Sequence, residues 1–305
     1  LDALLNTKEL SLSPKSSSYR QWATAMNAYA TSIAVTDQQS YWTAIASSYS
    51  EIPTDRTYVG SKMKDVLEHT TVLPKDATTS LLKEVSQTYG TDMNDILLSS
   101  LALTLSKWAN QKEIVIGLEG HGREDLSKEI DVSNTVGWFT NLFPVALSAT
   151  PNISHSDLIK STKEELRRIP GKGMGYAALR YLHPSSEIRE EMAAVRWDIL
   201  FNYLGQFDSL TGTSSLLEMA KESTGNPMGD EALFAHKLEL DSSVIGGELV
   251  MTWSYSGKQY DTTTIEEIAK QYVSNLLDLI SHCKHILKRI PSGIYEDLLV
   301  DNSVS

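Results

Sequence analysis

The stretch EIVIGLEGHGRE, residues 113–124, decides the fold. Its first six residues, Glu113 to Leu118, form a short and almost continuous apolar run rich in β-branched side chains. That is the pattern of a strand buried on both faces, and such strands lie in the middle of sheets. The run breaks off at Glu119, where Gly120 and Gly122 free the backbone and His121, Arg123 and Glu124 arrive together. Loops at strand ends commonly carry function. A carboxylate leaving an apolar strand is partly desolvated, which raises its pKa and makes it a better base near neutral pH. Glu119 is therefore the candidate acid/base. The alternative from these residues alone is a structural ion pair between Glu119 and Arg123.

On the N-terminal side of this strand, Met93 to Trp108 is apolar on nearly every side, which predicts a central helix. Before it, Thr78 to Tyr89 is amphipathic through Leu81, Leu82, Val85 and Tyr89, and Gly90 occupies the left-handed stop position. Further upstream, Tyr19 to Thr31 and Gln38 to Ser48 are two helical patterns anchored by Tyr19, Trp22, Tyr29, Tyr41 and Trp42. The polar stretch from Ser50 to Ser61, with Pro53 and Gly60, is the expected domain boundary.

On the C-terminal side, Thr135 to Leu147 predicts another strand, and Ser154-x-x-Asp157 caps a helix that runs to Arg168. Asp198 to Phe207 reads as a strand. Lys237 to Ser256 reads as a hairpin turning at Gly246-Gly247, with Leu249, Met251, Trp253 and Tyr255 on one face. Thr263 to Leu287 is a long amphipathic helix whose expected cap is Thr263-x-x-Glu266. Trp138 and Phe139 are expected in the core, and Glu187 to Glu191 on a solvated helix face.

At 305 residues the chain can hold one large or two modest globular units. With 41% hydrophobic and 22% charged residues it has the composition of an ordinary globular protein. A net charge of −12 and the lack of a basic cluster argue against a nucleic-acid partner. The single cysteine, Cys283, forms no internal disulfide and fits a cytoplasmic location. No apolar run reaches the ~18 residues of a membrane span. The opening Leu1-Asp2-Ala3-Leu4-Leu5 starts as if inside a helix, which suggests a fragment. His282 and His285 lie one turn apart, but no Cys/His set completes a metal site. Gly171 to Gly175 lacks the strand and the Gly-Lys-Ser/Thr ending of a phosphate cradle and reads as a turn.

Four segments in order, EGHGRE (119–124), TVGWFTNLFPV (135–145), PGKGMGY (170–176) and FNYLGQFD (201–208), closely resemble the C-terminal motifs of epimerization domains of nonribosomal peptide synthetases, relatives of the condensation domains. The first and last are those that separate epimerization from peptide-bond-forming members. The third departs modestly, at Met174 and Ala177. The resemblance implies an α/β (α+β) fold: a chloramphenicol-acetyltransferase-like lobe, a mixed sheet flanked by helices, plus the remnant of a second such lobe. Residues 1–60 would be that remnant, 61–290 the C-terminal lobe and 291–305 a tail or linker. The family's His-His-x-x-x-Asp motif would lie upstream, and no His-His pair occurs in this sequence; His121-x-x-x-Asp125 copies only its spacing.

The implied activity is epimerization, L to D at Cα, of an aminoacyl or peptidyl thioester. Glu119 would be one acid/base and the second histidine of the missing motif its counterpart, so that the fragment alone is expected to be inactive. Asn202 and Tyr203 match positions that line the family's site. Tyr203 either positions substrate or relays a proton, or is a half-buried strand aromatic; both remain open. His121 and Arg123 would shape the loop. The domain would bind no cofactor itself, 4'-phosphopantetheine being supplied by the carrier domain. Its partners would be upstream peptidyl carrier and adenylation domains and a downstream condensation domain, with neither nucleic acid nor membrane. The alternatives are a condensation domain or a catalytically silent carrier-docking module.

Overall fold

A computed structural model describes residues 14–207, 222, 225 and 227–288. The proposed tail at 291–305, and Asp208 at the end of the fourth motif, lie outside the described residues. Three helices come first: α1 (Tyr19–Ala30), α2 (Ile33–Thr36) and α3 (Gln39–Ser48). Strand β1 (Val66–Leu73) follows, then α4 (Lys75–Ser80), a π turn at Leu81–Val85 and α5 (Ser86–Tyr89). Next come α6 (Met93–Ala109), β2 (Glu113–Gly120), β3 (Asn141–Ser148) and α7 (His155–Arg167). The remainder is α8 (Met174–Ala177), α9 (Ser186–Ala193), β4 (Ile199–Gln206), β5 (Leu238–Ile245), β6 (Glu248–Ser256) and α10 (Thr262–Leu287).

The strands form one six-stranded mixed sheet in the order β1-β6-β5-β4-β2-β3. β4 runs parallel to β2 and to β5, and the remaining neighbours are antiparallel. β2 therefore lies inside the sheet, as its unbroken apolar run demands. The register aligns Phe201 with Leu240 and Leu240 with Trp253 on one face, and Trp253 meets Tyr272 of α10 edge-on at 5.8 Å. α6 packs against α10 beneath this face. The central place expected for α6 follows from its composition, and Ile96, Leu97, Leu98, Leu101 and Leu105 are all buried. Its buried Ser100 donates to the Tyr272 carbonyl, and Thr104 accepts from Asn275, so its polar side chains satisfy α10 rather than water.

Several sequence expectations change. The strand expected from Thr135 begins only at Asn141, and Trp138 is exposed whereas Phe139 is buried. The cause is local: Tyr19 and Trp22 of α1 pack edge-on against Phe139, and Gly137 lies against the Tyr19 ring, which holds residues 135–140 away from sheet pairing. The long C-terminal helix is capped at Asp261, not by a Thr263–Glu266 box. Glu191 is not purely solvated, because it accepts from Gln39 and Thr43 of α3. Met26, Trp42 and Ile45, ahead of the Ser50–Ser61 stretch, and Ile52 within it join the same apolar cluster as the sheet.

Candidate active site

Alternation along β2 places Val115, Gly117 and Glu119 on the face opposite the α6/α10 layer. Val115 is buried there. A Cβ at Gly117 would lie 2.4 Å from the Trp197 indole, so glycine is what lets that ring press against the strand. Trp197 continues through Tyr176 (5.9 Å) to Trp42 (5.4 Å), an aromatic series that closes this face over the β2 end of the sheet. Glu119 is the next residue along and stands at the margin where that cover ends. It is half-buried there.

Beyond this margin the same face is polar and open. The register carries it from Asn202 to Asp241, from Asp241 to Thr252 and from Thr252 to Thr70, with Glu239, Ser254 and Glu68 forming a second row. Asn202 Nδ2 donates to Glu119 Oε2 at 3.0 Å, and across the β4–β5 register Asn202 stands opposite Asp241. His236, stacked on Trp197 at 6.4 Å, pairs with Glu239 at 2.8 Å.

These surroundings set the charge of Glu119. Burial pushes its carboxyl above the usual range; Asp241 and then Glu239 add to the rise, and His236 opposes it. Asp241 is raised as well, by burial of its carboxyl and then by Glu239, with Asn202 acting in the other direction. A carboxylate shifted toward neutrality is matched to proton transfer at carbon.

The loop after Glu119 is held from several sides. Gly122 has φ 65°, and a Cβ there would lie 1.6 Å from the Phe139 carbonyl oxygen. Arg123 does not pair with Glu119: its guanidinium lies 4.2 Å from the Phe139 ring centroid and donates to the Val132 carbonyl. His121 is exposed and accepts from the Arg123 amide at 3.0 Å through Nδ1, while its Nε2 meets Glu124 at 3.1 Å. Lys172 of the Pro170–Gly173 turn also reaches Glu124, at 3.0 Å. Glu124 thereby ties the first motif to the third.

The structure brings Asn202 to Glu119 and leaves Tyr203 apart from it. As its neighbour on a strand, Tyr203 points to the other face and lines a cavity of about 460 Å³ with Leu82, Met93 and Ile96. Sequence reading did not find Asp241, Glu239 or His236. The polar alternation of Glu239, Asp241 and Ser243 between the buried Leu238, Leu240, Ser242 and Val244 was the available signal.

Comparison with known proteins places the chain among relatives. A family model described as "Condensation domain" matches residues 2–293. A linear gramicidin synthase polypeptide of Brevibacillus parabrevis is 38% identical over 285 residues, 90% of this chain and 6% of that protein. Surfactin synthase subunit 2 of Bacillus subtilis (strain 168) is 39% identical over 274 residues, 88% of this chain and 7% of that protein. The chain thus spans less than a tenth of the length of these two relatives. The crystal structure of the epimerization domain from the third module of tyrocidine synthetase B superposes with a TM-score of 0.83 at 36% identity, over 93% of this chain and 64% of that one. No helix among the described residues is long and apolar enough to cross a membrane. With a family match over nearly its whole length and these synthetase relatives, this chain belongs to the condensation-domain family of nonribosomal peptide synthetases.

Proposed function

We propose that within this family the chain is the C-terminal part of an epimerization domain, acting on the Cα of an aminoacyl or peptidyl thioester. The observation that carries this reading is the half-buried, upward-shifted Glu119 carboxyl, hydrogen-bonded by Asn202 and facing the open side of the sheet. The likeness to the tyrocidine synthetase epimerization domain supports it. In this reading Glu119 takes the Cα proton. The C–H electron pair moves into the thioester carbonyl as an enolate, and a proton returns to the opposite face of the carbon from a second acid. By family resemblance that acid is the second histidine of the His-His-x-x-x-Asp motif, which this sequence does not contain. The thioester arrives on the 4'-phosphopantetheine of a carrier domain and belongs to the substrate. Carrier and adenylation domains upstream, a condensation domain downstream and a cytoplasmic setting complete the proposal.

The test is loss of α-deuterium from a labelled aminoacyl carrier in the intact synthetase. Retention of label equal to a control without enzyme rejects epimerization. Peptide formation on a second loaded carrier without label loss identifies a condensation domain, and neither product identifies a silent docking module. The 305 residues alone are expected to give no washout.

A further inference from the structure

Asn202 stands between two carboxyl groups. Its amide nitrogen donates to Glu119 on β2, and the β4–β5 register sets Asp241 directly opposite it on the other flanking strand. All three side chains share the open face, and Glu239 lies two residues before Asp241 on the same side. The charged and titratable groups facing Asp241 are Glu119 from β2, Glu239 from its own strand, Glu68 from β1 and the His236 that pairs with Glu239. β4 contributes the neutral Asn202 and β6 the neutral Thr252 and Ser254. Acidic groups therefore outnumber the single imidazole.

Carboxylates gathered on one face around a single amide resist joint ionisation. We propose that Asp241 is a positioning residue of the active site, set across Asn202 from Glu119 on the same face, and that the pair determines when Glu119 holds its proton. Glu239 and His236 adjust the pair from the second row. This assignment rests on Glu119 as the acid/base, but its geometry stands without the reaction.

Two measurements separate the coupling from the chemistry. The first is a carboxyl-carbon NMR titration of Glu119 in the 305-residue chain, with and without Asp241→Asn. Removing the Asp241 charge is expected to move the Glu119 midpoint to lower pH, and Glu239→Gln to move it less in the same direction. An unchanged midpoint in both variants, with the thermal unfolding of the parent retained, overturns the coupling whatever the domain catalyses. The second is the pH profile of deuterium washout in the intact synthetase. Its rising limb should shift to lower pH in Asp241→Asn, and a uniform loss of rate with no shift of the limb rejects the positioning role. If the parent shows no washout while the titration shifts, the coupling holds and the epimerase reading fails.

Discussion

The two faces of one sheet follow opposite rules. On the helix side Phe201, Leu240 and Trp253 stack across β4, β5 and β6 and are buried against α10. On the other side, one residue further along β4 and β5, Asn202 meets Glu119 and stands opposite Asp241, and every member of the row is polar. Because side chains alternate with period two, a single strand supplies both a core position and a site position at each step. The apolar face fixes the register, and the register brings three distant polar residues together.

The comparison is tested most severely on the open face. Glu119→Gln, nearly isosteric, is expected to lower deuterium washout by about 10²- to 10⁴-fold while leaving the fold intact. An unchanged rate would remove Glu119 from the mechanism. Trp253→Ala on the helix face should do the reverse, with a loss of about 3–5 kcal/mol of unfolding free energy in a denaturant titration. Between the two lies Gly117→Ala, which forces a methyl toward the Trp197 indole. It is expected to cost about 1–3 kcal/mol and to perturb washout, because Trp197 also stacks on His236.

Smaller effects sharpen the same contrast. Tyr203→Phe removes one hydroxyl from the side of β4 away from Glu119, and a stability change below about 1 kcal/mol with near-parental washout is expected. A loss approaching that of Glu119→Gln would show that both faces take part. The smallest effect is on the pH dependence of stability. With its pKa raised on folding, Glu119 binds more proton in the native than in the unfolded state between the two pKa values, so stability falls as pH rises through that window. Glu119→Gln should therefore raise the melting temperature relative to the parent at neutral pH and lose that advantage in acid.

Legibility in the sequence follows the same division. β2, the hairpin β5–β6 and α6 were readable because burial on one or both sides leaves a periodic signature. β1 was missed because most of its residues are exposed or half-buried and Val66 to Leu73 mixes apolar, charged and hydroxyl side chains. α8 was missed because glycines at 171, 173 and 175 read as a turn. Gly173 is required by its close approach to the Phe143 ring, and Gly175 lies against the Gln38 amide. Glu119 was found from its own strand. The alternation of β5 marks Asp241 as outward-facing, but its relation to Glu119 exists only once β4 is known to lie between β2 and β5.

The shared apolar cluster has a practical outcome for recombining synthetase parts. Trp42 is wholly enclosed and touches Tyr176, which in turn supports Trp197 beneath Gly117. A splice placed in the turn-rich stretch at 50–61 would graft foreign helices onto that aromatic series and loosen the shelf on which Glu119 rests. Chimeras joined ahead of Ser18, the residue that caps α1, keep the shelf and its glutamate from a single parent.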